Sequence, residues 1–332
     1  MAFLRTSFFA AAVFAVAACG SSSNSTPTGP HYHYVVNKVL VPTQTGDAQK
    51  YGLDLDGMPG VDNALGNLLS ALATQNINAQ VSIDEAVFNG SIALLMDLQT
   101  PSFDSAGAAG IQVFIGSDAE PPACNSGEMV TCGSGADATC TGCQHDLTGS
   151  ASFQIAPDSP MNAALSGPIV GGTLKAGPGD LSLQISIGGA AATEVDLIGA
   201  RAEASGMSAT AIGDPTDPDA GGIIFGGGIT QDDLNTKVIP SVVPVIQGVL
   251  DTHCPNAMPG MCNCDSTGKT VLTLFDTNMD CKVSAQEISM SSFGMTLLAP
   301  DITIDGMPCL SVGVKAFGVG AQFTIPGETL GM

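Results

Sequence analysis

Along the middle of the chain apolar and polar residues alternate. In DLSLQISIGG, Leu181, Leu183, Ile185 and Ile187 fall on every second position, the period that turns one face of a strand to a core and the other to water. ATEVDLIGARAEASG and GGIIFGGGI continue in that style, and HYHYVVNKVLVP, SIALLMDLQ and GIQVFIGS read as earlier strands. The end returns to strand in MTLLAPDITID and in CLSVGVKAFGVGAQFTI, where Phe317, Val319, Ala321 and Phe323 share one side. Three stretches follow a helical period instead. NALGNLLSALAT repeats Leu65, Leu68, Leu69 and Leu72 at helical spacing, and Ser82-Ile83-Asp84-Glu85 has the capping-box pattern of a short helix running to about Phe88. Thr230-Gln231-Asp232-Asp233 opens DLNTKVIPSVVPVIQGVLD, which Pro240 and Pro244 are expected to break or kink. The fold class predicted is mainly β: an antiparallel β-rich body with a few helices packed on it.

The N-terminus departs from both periods. One basic residue, Arg5, precedes the apolar run FFAAAVFAVAA, too short for a membrane span and of the length of a secretory signal. It ends in Val16-Ala17-Ala18-Cys19-Gly20, which resembles a bacterial lipobox. The resemblance implies that residues 1–18 are removed as a lipoprotein signal and that Cys19 carries palmitate-class acyl chains as the mature N-terminus. In the sorting pattern of that family, Gly20 rather than aspartate after the cysteine implies the outer membrane, with the body facing the periplasm or the cell surface. GSSSNSTPTGP, within a tether of residues 19–33, has the flexible composition such an anchor needs. No later segment offers 18 uninterrupted apolar residues. Residues 34–250 are expected to form the β-rich body, interrupted by a Cys-rich loop over 120–146, and residues 251–332 to pack into the same body.

Charge narrows the partners. Nine Lys and Arg face 31 Asp and Glu, a net charge of −22, which becomes −23 without Arg5 (8 minus 31). A surface this acidic repels nucleic acid and anionic headgroups and attracts cations such as calcium. Ten cysteines less Cys19 leave nine, an odd number for an oxidising compartment. Cys124, Cys132, Cys140 and Cys143 lie in the first group, where CTGCQH and His145 suggest zinc but two disulfides fit the compartment better. Cys254, Cys262, Cys264, Cys281 and Cys309 form the second.

Candidate chemistry is concentrated in FDTNMDCKVSAQEI. Asp276, Asn278, Asp280, Ser284 and Glu287 occupy the first, third, fifth, ninth and twelfth positions of a twelve-residue loop, Lys282 offers a carbonyl at the seventh, and Val283 is apolar at the eighth. The stretch resembles an EF-hand calcium loop, whose hard cation needs oxygen ligands and a final bidentate Glu. It departs at the sixth position, where Cys281 replaces glycine; a left-handed side chain costs roughly 1 to 2 kcal/mol there. A disulfide from Cys281 would hold the turn before metal arrives. Asp54, Asp56, Gly60 and Asp62 are similar to a degenerate loop of the EF-like and dockerin kind, in which Met58 and Leu65 replace two oxygen ligands.

His31 and His33 are expected on an exposed strand edge or in the tether, without further metal ligands nearby. His253 beside Cys254 suggests a thiol nucleophile, but a disulfide suits the compartment better. No catalytic motif stands out, so no enzyme is predicted. The sequence leads to an outer-membrane-anchored, calcium-binding lipoprotein acting as a cell-envelope binding or scaffold protein. The rival is a carrier of an apolar, lipid-like ligand, suggested by strands rich in small residues.

Overall fold

The protein, a computed structural model, is described over residues 26–74, 78–123, 145–185, 193–255 and 257–326. The lipobox with Cys19, the four cysteines Cys124, Cys132, Cys140 and Cys143, and Ile187 lie outside these residues.

The alternating segments form strands β1 (His31–Leu40), β2 (Leu94–Gln99), β3 (Ser105–Glu120), β4 (Ser152–Ile155), β5 (Ala164–Val170), β6 (Thr173–Ile185), β7 (Thr193–Ser205), β8 (Ala211–Ile212), β9 (Gly222–Thr230), β10 (Ile302–Ile304) and β11 (Met307–Gly320). Eight of them pair antiparallel in the order β1-β2-β3-β5-β6-β7-β9-β11, and β11 pairs back onto β1. The sheet is therefore a closed up-and-down barrel, with β4, β8 and β10 as short additions. Closure satisfies the backbone groups that an open edge would leave unpaired. Val35 shows this directly, standing opposite Leu95 on one side and Val319 on the other.

Period-two alternation sorts side chains between two layers. Tyr34, Val36, Met96, Leu98, Ile111 and Val113 enter the main core. Val35, Leu95 and Phe114, one step out of phase, form a second cluster beneath Phe153 of β4 and the terminal Phe323 and Ile325. Val319, Ala321 and Phe323 lie on this outer side. At one end of the barrel Val170 and Thr173 pair across Gly171 and Gly172, whose φ values of 59° and 77° suit the tight two-residue hairpin. The same end is closed from within: Met207 and Ile212 join the core, and the Tyr34 hydroxyl donates to the Ser208 carbonyl at 2.6 Å.

The helices gather at the opposite end. They are α1 (Asp47–Lys50), α2 (Ala64–Ala73), α3 (Ala79–Phe88), α4 (Gln231–Asp233), α5 (Ile239–His253), α6 (Ser266–Phe275), α7 (Ala285–Met290) and α8 (Ser292–Leu297), with a π turn over Leu234–Val238 between α4 and α5. Leu65, Leu68 and Leu72 of α2 bury as their spacing predicts, with Leu69 packed against them. Thr230 caps α4, its side chain accepting from the Asp233 N–H. Three expectations need correction. Helix α3 starts earlier than Ser82, because Asn78 is its N-cap and accepts from the Gln80 N–H. The prolines do not divide the run from Gln231 to His253: Pro240 sits in the first turn of α5 and Pro244 inside it, and the irregular hydrogen bonding falls just ahead, in the π turn. Met295, Thr296 and Leu297, read as strand, are helical, because Ser291 caps α8 through the Gly294 N–H and the following strand is only Ile302–Ile304.

Val271, Phe275, Val283 and Ile288 belong to the same buried cluster as the barrel interior. No helix among the described residues is long and apolar enough to cross a membrane.

Candidate functional site

The twelve-residue loop joins α6 to α7 and is curled by its own side chains. Asp276 accepts through Oδ1 from the Asp280 N–H at 3.2 Å and through Oδ2 from the Cys281 N–H at 2.9 Å. Asn278 Oδ1 takes the Asp280 N–H at 2.8 Å, and Asp280 Oδ1 takes the Lys282 N–H at 2.9 Å. Each short polar side chain thus turns the backbone back on itself. Glu287 is only 7 % exposed, and its carboxylate spans the loop. One oxygen accepts from the Thr277 and Asn278 N–H groups at 3.2 and 3.4 Å, the other from the Ser284 N–H and hydroxyl at 3.0 and 2.8 Å. Ser284 and Glu287 complete a capping box that starts α7. Lys282 is exposed.

Cys281 adopts φ 66°, the left-handed conformation that glycine usually supplies at this position, and it is bridged to Cys262. Cys254 pairs with Cys264 rather than acting beside His253, whose Nδ1 lies 2.8 Å from Asp265 Oδ2. Asp265 in turn caps α6 through the Thr267 and Gly268 N–H groups. Cys309 is buried and unbridged, the odd thiol among the described residues.

Asp54, Asp56 and Asp62 come together more closely than the later loop does, with ligand oxygens within 4.8 Å of one another. Among the described residues no other trio of His, Cys, Asp or Glu converges to that degree. In the earlier loop Asp54 accepts from the Gly57 N–H at 2.7 Å, Asp56 from the Met58 N–H at 2.8 Å, and Asp62 from the Leu55 N–H at 2.7 Å. Gly60 has φ 154° and contributes only backbone. Met58 is exposed and Leu65 is buried in α2, so neither adds an oxygen. Asn63 fixes the end of this loop: Oδ1 accepts from the Gly66 and Gly313 N–H groups, and Nδ2 donates to the Ala48 and Gly313 carbonyls, all at 2.9 to 3.1 Å. An Asn directly before an apolar helical run is a cap signal; its tie to β11, 250 residues away, is not readable from sequence.

Both loops lead into helices that wall a cavity between the barrel mouth and the helical lid. Its free volume is about 140 Å³, and every lining residue is Val, Leu, Ile, Ala, Gly or Phe. Val39, Phe225 and Val312 come from the barrel, and Leu72, Val242 and Phe293 from the lid. Eight strands enclose an interior of about the size that holds side chains or one small ligand.

His31 and His33 lie in the first three residues of β1, which pair with β2 but stand outside the β11 register that begins at Tyr34, and the sequence reading missed their partner, Asp97 of β2. His31 Nδ1 is 2.7 Å and His33 Nε2 3.5 Å from the Asp97 carboxylate, and His33 stacks on Phe323 at 4.3 Å. Burial raises the Asp97 carboxyl above its usual range against the pull of both imidazoles. His145 begins a short turn with Asp146, a buried acid whose Oδ1 has no hydrogen-bond partner and which desolvation pushes up to about 6.

No protein-family model, no curated protein and no solved structure matches this chain.

Proposed function

We propose that the protein is a cell-envelope binding protein, tethered to the outer membrane by lipid at Cys19, stabilised by calcium and holding a small apolar ligand at the mouth of its barrel. The observation that carries the ligand reading is the cavity lined without a single polar side chain. At about 140 Å³ it matches the roughly 150 Å³ engineered cavity that stays dry and takes benzene. The ligand class is therefore a neutral hydrocarbon, a ring or a short branched chain, with no headgroup inside.

Calcium is supported by the loop from Asp276 to Glu287. Its side chains are oxygen donors, its sixth residue already has the left-handed turn, and its final Glu reaches across the loop. Asp276, Asn278, Asp280, Ser284, Glu287 and the Lys282 carbonyl would hold the ion. Asp54, Asp56 and Asp62 are a second candidate, and their convergence favours a cation there too. The anchor is supported by the lipobox resemblance and by the direction of β1. This strand enters at the end away from the lid and reaches the cavity at Val39, its ninth residue, a rise of about 26 Å along the strand. A tether at Cys19 thus leaves the cavity mouth pointing away from the membrane.

Backbone NMR spectra of the body after Cys19, titrated with toluene, test the ligand reading. Shifts are expected at Val39, Phe225 and Val312 and across the lid, and a ligand at one hundred times its Kd should stabilise the fold by about 2.7 kcal/mol. Val242→Phe, which fills the cavity from the lid, should fold and show no response. Toluene-saturated wild type without shifts would leave a calcium-stabilised scaffold with a packed core.

A further inference from the structure

We infer that His31, His33 and Asp97 form a binding site for a divalent ion of the zinc class on the outer wall of the barrel. The site is separate from the apolar cavity and from both acidic loops, and it does not depend on either of the readings above.

The two histidines are two residues apart, so on a strand they share a face. That face is the outer one, since Val35 continues it into the outer cluster while Tyr34 and Val36 enter the core. On β2, Asp97 lies one such step from outward-facing Leu95. The register sets Asp97 directly opposite His33, with His31 on the diagonal. An acid is thereby drawn under two imidazoles, and only 5 % of it remains exposed.

One side of this carboxylate is satisfied and the other is not. Oδ2 lies 2.7 Å from His31 Nδ1, while Oδ1 faces His33 Nε2 at 3.5 Å. Asp97 Oδ1 and His33 Nε2 are both buried, and neither has a hydrogen-bond partner. Buried polar atoms rarely stay unpaired. The 3.5 Å gap is long for a hydrogen bond, yet it suits a shared ion. Zinc about 2.0 to 2.2 Å from each atom would see the two at roughly 110 to 120°, near the tetrahedral angle. Phe323 stacks on the His33 ring at 4.3 Å and 20°, which fixes the plane in which Nε2 points. His31 supplies the third ligand by turning from Oδ2 to the ion, a movement open to a side chain that is 34 % exposed. A groove of about 670 Å³ lined by His33, Ser152, Gln322 and Phe323 gives the ion a way in and water the fourth position.

The donor set chooses the class of ion. Imidazole nitrogen suits zinc, copper and nickel, whereas calcium and magnesium take oxygen ligands. Protons compete with the metal, because a ligating imidazole must be neutral.

Zinc titration of the mature chain, residues 19–332 with Cys19→Ala in place of the lipid, tests this by calorimetry and by NMR of the imidazole side chains. The expected result is submillimolar zinc binding at pH 7.5 that shifts the His31 and His33 imidazoles together. That affinity should weaken at least tenfold at pH 5.5 and stay unchanged in saturating calcium. His31→Gln and His33→Gln should each weaken zinc binding at least tenfold while keeping the wild-type circular dichroism. Where a variant fails to fold, the wild-type imidazole shifts decide. Zinc that moves neither imidazole, that shifts His145 or His253 instead, or that binds either folded glutamine variant as tightly as wild type overturns the assignment.

Discussion

Consider removing the Cys262–Cys281 bridge in two double variants that differ only at position 281, Cys262→Ser/Cys281→Ala and Cys262→Ser/Cys281→Gly. The bridge closes a loop of 19 residues separation, for which the chain-entropy relation gives about 11 cal/mol/K, or roughly 3 kcal/mol at room temperature. Both variants lose this contribution. They differ in the turn, because residue 281 sits at φ 66°, where a side chain costs roughly 1 to 2 kcal/mol. Glycine relieves that cost but gives the unfolded chain more freedom, worth about 0.4 to 1 kcal/mol. The net expectation is about 3 kcal/mol lost for the Ala variant and about 2 for the Gly variant. Urea unfolding in EDTA, followed by circular dichroism with equal slopes checked, measures both without metal. If the Ala variant equals or exceeds the Gly variant in stability, the bridge is not holding a strained turn. If neither differs from wild type, the closure argument itself is wrong.

Asp146→Asn should remove a pH dependence. The Asp146 carboxyl binds its proton more tightly folded, at about 6, than at the ordinary 3.8, so its contribution is greatest below about pH 4 and is lost as pH rises through 6. The gap amounts to roughly 3 kcal/mol. Urea midpoints should therefore favour the Asn variant over wild type at pH 7.5, by about 2 kcal/mol, and not at pH 4; a wild type whose stability rises steadily over that range by the same amount would contradict the sign. For the anchor, Cys19→Ala expressed with the native leader should appear in the soluble extracytoplasmic fraction, and continued sedimentation with outer membranes would refute lipid attachment at that residue.

Much of the architecture can be read from the chain. The every-second-residue pattern of Leu181 and its neighbours, the leucines of α2 and the acidic spacing from Asp276 to Glu287 are local, and each is fixed by a period or spacing that its own segment carries. The same holds for Thr230 as a cap and for the mainly β class. Where sequence reading failed locally, a stronger local signal had competed with the correct one: the Ser82 pattern masked the Asn78 cap, and the apolar MTLLA masked a helix started by Ser291.

What the segments do to one another was settled only by the tertiary structure. Alternation tells which residues share a face, but not that β11 returns to β1, nor that β2 sets Asp97 beside His31 and His33. Cysteine counting predicted one thiol left over, while Cys262 finding Cys281, and Cys309 remaining alone, depended on where α6 and its loop came to rest. The cavity belongs to this second kind as well. Each wall residue was recognisably apolar, yet an empty space between a barrel and its lid exists only once distant segments have packed, because side-chain volume is written in the sequence and the gap between side chains is not.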